Sequence, residues 1–508
     1  MDAKAAQLDR DVAQAAATWG RAVRALWRGG AAGLAELQGE EGGPDGALSN
    51  PLAPFRRVSS RATYERLVRP EVGLGAELGL LSTVTPAAPD PHAVALARWV
   101  QYLTLERVLF SDRVRIAEAW HAPTASVEPS GGGRPGPAEG ALRASATGRE
   151  SARDALLGLL GASRQEVRRA YAEQLVDAAG PIVEAARIEA DRRQEATRLL
   201  GVEPDATPLE LPCDPPVAAL EVAARLLEQT APLLEPSRRW DEALGRAVAR
   251  DATEGWPARP NARWVEVLFR EGGLAEGLVL DLGQLPRALG ASSFARALGR
   301  FGAALSDACM PRTAPFALTR SPFDVRRARR AALFAALPAD PVFCVKHLGL
   351  GRARARDQAR VVARALLLTL RLDAAQLRLT QGHRVGLPGN PLLMGRREGG
   401  EHFEEETRRA LGIPLPAELV GVVPALDAGV SVHLLGALLA ACDRYALVQR
   451  FDEDWFRNPR AVEAIREDDG VFRATPGLLG TAMLPTAVTG AELDEGFERL
   501  MADLSDLG

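Results

Sequence analysis

The chain has 508 residues, 47% of them hydrophobic, which is enough to bury a large core and, by length, to form up to three domains. Its formal charge of −4 is small for this size and excludes a molecule-wide pull toward nucleic acid or an anionic membrane. The four cysteines, Cys213, Cys309, Cys344 and Cys442, lie far apart with no C-x-x-C spacing and read as buried thiols of a reducing compartment.

In chain order, the first residues, MDAKAAQLDRDVAQ, lack the apolar stretch of a secretory signal, so a cytoplasmic location is expected. Leu8, Val12, Ala15, Trp19, Val23 and Leu26 recur at steps of three and four and predict an amphipathic helix stopped by Gly29 and Gly30. A connection rich in Gly and Pro runs over 38–54, and a second long helix is expected from His92 to Trp120, which completes an N-terminal helical region over 1–120. The segment 121–150 contains SVEPSGGGRPGPAEGALRASATG and reads as a flexible linker or insertion.

A helical body is expected over 151–470, followed by a C-terminal tail over 471–508. Within the body, helices are predicted over Ser151 to Leu160, then from a capping box at Ser163 and Glu166 to Gly180 and Pro181, then over Ile182 to Leu200. Val217 to Thr230 and Ser237 to Ala252 follow. Trp264 to Phe269 and Leu278 to Leu280, separated by Gly272 and Gly273, alternate as a short β-hairpin would. Ser293 to Leu305 is a helix carrying Arg296 and Arg300 one turn apart on one face. Phe343 to Leu350, Ala353 to Thr380, Glu401 to Leu411 with Gly412 as its C-cap, and Val432 to Arg450 complete the helices. The longest apolar run, Leu419 to Cys442, is interrupted by Pro424, Asp427 and His433, so it reads as a buried helix pair and no membrane partner is expected.

Residues 287–378 carry seventeen Arg or Lys against five Asp, which makes this stretch the candidate anion-binding or nucleic-acid-binding surface. Arg326, Arg327, Arg329 and Arg330 lack interleaved stacking aromatics, so a solvated helix face is the plainer reading and no nucleic-acid partner is expected. There is no G-x-S-x-G elbow and no phosphate-binding G-x-x-x-x-G-K-[ST]. His383, His402 with Glu405 or Glu406, and His433 are the candidates for a metal site in the C-terminal third, and no second histidine lies within helical reach of His402.

Taken together, Arg296-Ala297-Leu298-Gly299-Arg300, then Pro315-Phe316, then Ala328 ahead of Leu333-Phe334, resemble the frame of the zinc oligopeptidases of the oligoendopeptidase F and thimet oligopeptidase type. In that family an HExGH helix is followed by a Pro-Phe segment and by a glutamate-bearing helix ending in Leu-Phe. Phe451 to Pro459 is similar to the family's FGxxWxxNP segment, while Leu434-Leu435-Gly436-Ala437-Leu438 has lost the tyrosine and arginine that the family carries on the preceding helix. By this resemblance Arg296 and Arg300 stand at the two zinc-histidine positions, Ala297 at the general base and Ala328 at the third ligand. A guanidinium has no lone pair for a metal and Ala297 cannot move a proton, so the chemistry is missing.

The resemblance implies a mainly α, multi-helical metallopeptidase-like scaffold of the thermolysin or neurolysin type, with a central cleft and a small β-hairpin or sheet beside the former active-site helix. It implies a pseudoenzyme without zinc or other cofactor. The chain would hold a peptide or a partner protein in the retained cleft, such as an active peptidase homologue, with Arg296 and Arg300 binding an anionic group. The alternatives are that Arg296 and Arg300 simply pair with local acids such as Asp307 or Asp324, that a metal has moved to His383, His402, Glu405 and His433, or that the 287–378 segment binds anions or nucleic acid.

Overall fold

Ala, Leu and Arg abound in this chain, and over long segments such residues favour helix over strand. The computed structural model of the protein is accordingly mainly α; it describes residues 3–38, 48–68, 91–123, 151–201, 209–270, 278, 289–310, 313–426, 429–471 and 488–505. The N-terminal helices are α1 (Ala3–Gln38), α2 (Arg61–Val68), α3 (Pro91–Val108) and α4 (Phe110–His121). There follow α5 (Ala152–Gly161), α6 (Gln165–Leu199), α7 (Pro216–Gln229), α8 (Trp240–Arg246) and α9 (Ala262–Arg270). The second half holds α10 (Ala291–Cys309), α11 (Phe316–Thr319), α12 (Val325–Ala335), α13 (Pro341–Leu348), α14 (Arg352–Gln381) and α15 (Arg396–Leu411). Last come α16 (Val430–Phe451), α17 (Pro459–Val471) and α18 (Gly490–Leu504).

The expected hairpin is a correction. Trp264 to Phe269 lies inside helix α9, whose first turn is capped by Asn261 Oδ1 accepting from the Trp264 N–H at 2.8 Å. Val265 and Phe269, four residues apart, are buried while Val267 is 52% exposed, a pattern set by a 3.6-residue period in a segment whose β-branched and aromatic residues suggested strand. Of the second expected strand only Leu278 lies within the described residues. The two strands among the described residues are elsewhere: β1 (Cys213–Asp214) pairs in parallel with β2 (Val488–Thr489).

Several helix ends also differ. The stop expected at Gly29 and Gly30 is present as a kink: both have non-helical backbone, Gly30 at φ 61°, and a further helical stretch follows to Gln38, because glycine lets the chain break and resume. α6 runs unbroken past Pro181, held by Leu175, Ala179, Ile182 and Ala186 packing on one stripe. Its N-cap, Arg164, makes no side-chain capping hydrogen bond; the capping box sits instead at Ser151 and Asp154 ahead of α5. The helix expected over 92–120 is two, α3 and α4, divided at Leu109.

Helices α1, α3 and α4 bury their own core around Leu8, Trp19, Leu96 and Leu103, and this region is docked onto the body. Asp9 accepts from the backbone N–H groups of Phe316 and Ala317, the latter at 2.9 Å, so it caps the N-terminus of α11. Trp99 Nε1 donates to the Arg320 carbonyl at 2.9 Å. The tail expected over 471–508 is likewise part of the body, since Leu493, Phe497 and Leu504 of α18 are buried in the core shared with α7 and α16. The expected linker over 121–150 lies almost wholly outside the described residues.

Candidate functional site

Small residues decide where the central helices meet. A Cβ on Gly302 of α10 would overlap the Arg330 carbonyl oxygen, and one on Gly436 of α16 would stand 2.7 Å from the Ala328 Cβ. Both crossings therefore bring the glycine up against the backbone of α12, which is sandwiched between α10 and α16. Arg329 and Arg330 of α12 both bind Asp443 of α16, Arg329 Nε at 2.7 Å and Arg330 Nη1 at 3.1 Å from Oδ2. Arg444 on the next position reaches Asp503 of α18 at 2.6 Å and Asp340 at 3.6 Å.

Beside this sandwich lies a cavity of about 1480 Å³. Its lining includes Arg296, Gly299, Arg300 and Ala303 of α10 and Ala328, Ala331, Ala332 and Ala335 of α12. α14 contributes an unbroken stripe from Arg356 through Arg360, Ala363, Leu367 and Leu370 to Asp373. At 1.5 Å per residue that stripe is about 25 Å long. His433 and Ala437 line it from α16, and Trp19, Trp27, Tyr102 and Phe323 give it an aromatic wall.

Arg296, Arg300 and Ala328 all line this cavity. Ala297 does not: it is fully buried in the core formed with Val265, Phe301 and Phe334, turned away from the cavity by the 100° step per residue of the helix. The local acids expected as partners bind elsewhere. Asp307 pairs with Arg320 at 3.2 Å and Arg327 at 3.4 Å, and Asp324 caps α12 through the Arg327 N–H and faces Arg326 at 3.6 Å. Arg296 has no ion pair among the described residues; its side chain is exposed to solvent, and the protein packed around it lowers its pKa by partial desolvation. Its side chain still meets solvent, because the cavity is wide enough to hold water.

Asp373 was not singled out by sequence reasoning. It has no ion-pair or hydrogen-bond partner among the described residues, and burial pushes its carboxyl up to about 8, so most of it is protonated at neutral pH. Its signal was a lone acid in the apolar run LLLTLRLDAAQL, which composition alone presents as ordinary helix.

The solvated face expected at Arg326 to Arg330 is a second correction. Arg326, Arg327, Arg329 and Arg330 are engaged with Thr319, Asp307 and Asp443, and Arg330 is 3% exposed. The relocated metal site is not assembled. His433 lines the cavity, while His383, His402 and Glu405 do not, and Glu405 binds Arg408 and Arg409. Among the described residues no three His, Cys, Asp or Glu side chains come together to hold a metal. α16 is long and apolar enough to cross a membrane, and more than half of that apolar stretch is buried inside the protein, where it packs on α12, α14 and α18.

Compared with protein-family models, with curated proteins and with solved structures, the chain matches none.

Proposed function

We propose that this chain is a peptidase-like pseudoenzyme that holds a peptide, or a segment of a partner protein, in its central cavity without cleaving it. The observation that carries the reading is the convergence of Arg296, Arg300 and Ala328 on one wall of a cavity of about 1480 Å³. These are the positions at which the resembled zinc oligopeptidases place their metal ligands, and here they hold two guanidiniums and a methyl group. Such groups bind an anion and cannot bind zinc.

The size of the cavity supports a polypeptide occupant, since pockets for small molecules run to about 1,000 Å³. Its walls combine an apolar stripe on α12 and α14 with isolated charges, which suits an extended chain whose backbone and side chains differ in polarity. The alternative of a nucleic-acid surface on 287–378 is weakened by the internal ion pairs of Arg326 to Arg330, which leave no free basic stripe on α12.

Incubation with fluorescently labelled alanine-based decapeptides, in the presence of added Zn²⁺, tests the reading. Saturable binding with intact peptide recovered after prolonged incubation is expected. Stoichiometric zinc on the purified protein together with peptide cleavage would overturn it.

A further inference from the structure

The lining of the cavity is divided by chemistry among the elements that supply it. Its tryptophan, tyrosine and phenylalanine rings come from the N-terminal region and from the turn docked against it: Trp19 and Trp27 of α1, Tyr102 of α3, and Phe323. α10 and α14 bring the exposed guanidiniums of Arg296, Arg300, Arg356 and Arg360. α12, which starts two residues after Phe323 and packs on α10, presents alanines.

Three of the rings are fixed by their neighbours. Trp99, held by its hydrogen bond to the Arg320 carbonyl, stands edge-on to Tyr102 with centroids 6.0 Å apart, and Tyr102 meets Phe323 in the same way at 5.8 Å. Trp19 meets Phe110 at 6.4 Å. Trp27 differs: it is 42% exposed, although it extends the face of α1 on which Trp19 and Val23 also line the cavity. A lone exposed ring on a surface needs no explanation. One that continues an aromatic wall into a cavity leaves apolar area for an occupant to cover.

The charges of the lining are uneven too. Seven arginines and four acids contribute to it, and three of the acids are already engaged: Glu106 with Arg113 at 3.4 Å, Asp503 with Arg444 at 2.6 Å, and Asp324 with Arg326 at 3.6 Å. The fourth, Asp373, lies about 20 Å along α14 from Arg360 at 1.5 Å per residue. Beside Arg360 there is Asp357, at 3.8 Å, which leaves the arginines of α10 and α14 in excess. An excess of one sign along a cavity wall draws in the other.

We infer that the occupant is an acidic peptide carrying one large apolar residue, whose side chain packs among Trp27, Tyr102 and Phe323 while its carboxylates face the arginines of α10 and α14. This rests on the cavity being the peptide site proposed above. It adds the sequence preference, and it makes α1 and α3 part of the site. An all-alanine peptide would leave the rings uncovered, and an acidic peptide without the apolar residue would use the arginines alone.

The experiment is fluorescence anisotropy at pH 7 with labelled alanine-based decapeptides carrying one Phe and a pair of Glu, two to six residues apart, and with matched peptides in which Phe is replaced by Ala or both Glu by Gln. One Phe/Glu spacing should bind at least about tenfold more tightly than either matched peptide, the gain expected from burying a large apolar side chain or placing a charge. The gain from Glu should shrink as salt is raised and the gain from Phe should not. Trp27→Ala should remove the gain from Phe alone, and Arg356→Gln with Arg360→Gln should reduce the gain from Glu alone. These side chains are exposed, so the variants keep the fold, which an unchanged unfolding midpoint verifies. Equal binding of all the peptides, or preferences that survive in both variants, overturns the inference while leaving the peptide site standing. Failure of every peptide to bind overturns both.

Discussion

Arg371 is fully buried, and its guanidinium is satisfied by carbonyl groups. It donates to the Ala410 carbonyl at 2.9 Å, the Leu227 carbonyl at 2.8 Å, and also to Arg409, Leu226 and Thr230, which closes the C-terminal ends of α7 and α15 together. A cation at two helix C-termini gains from both dipoles, and burial lowers its pKa only to about 10, so it stays charged at neutral pH. Arg371→Leu should therefore cost roughly 3–5 kcal/mol in urea unfolding, as orphaned carbonyls are left behind; a loss under about 1 kcal/mol would show that the two ends are held by other means. Asp373 predicts the opposite trend. Its folded pKa, about 8, stands above the ordinary carboxylate value of 3.8, so its contribution to stability is complete below about 4 and is lost as the pH rises through 8. Asp373→Asn should raise the melting temperature increasingly from pH 5 to pH 9, and a pH-independent difference would contradict the burial of its charge.

At the scale of elements, the crossing of α12 with α16 is the most exacting contact. Gly436→Val places methyl groups where the Ala328 Cβ and backbone already stand, and should destabilise the protein by about 2–3 kcal/mol. Full stability in that variant, measured by thermal unfolding, would mean the helices can part cheaply. The docking of the N-terminal region depends on Asp9. Burial raises its pKa, but hydrogen bonds from His92 and from the Ala317 and Phe316 N–H groups outweigh this and hold it below the usual carboxylate value. That contribution is present above the unfolded value and is lost as the pH falls through the lowered folded one. Asp9→Asn should accordingly expose Phe316 and Trp99 to limited proteolysis, with the core of α10, α12 and α16 unaffected.

The same elements show what could be read in advance. Most central helices were legible because their apolar residues recur at steps of three and four, and Arg296 and Arg300 share one face of α10 as their spacing implied. α9 was misread because Trp264 to Phe269 is rich in strand-favouring residues, and only packing against Phe301 and Phe334 tips it to helix. Gly29 and Gly30 do break the helix as their type implies, whereas Pro181 was read as a stop and tertiary contacts on both sides carry that helix through.

For the whole molecule, helices distant in sequence converge on one cavity, among them α10 and α14, which are separated by 42 residues between Cys309 and Arg352. No local pattern links Arg296 to Asp373, which is why the sequence pointed to one of these two lining residues and passed over the other. The account stands on that cavity being where a peptide is held. Photo-crosslinking with a decapeptide bearing benzoylphenylalanine, followed by mass-spectrometric mapping, tests this most directly. Adducts on the cavity faces of α10, α12 and α14, at or beside Ala303, Ala331 and Ala363, are predicted. Adducts confined to the outer surface would contradict it.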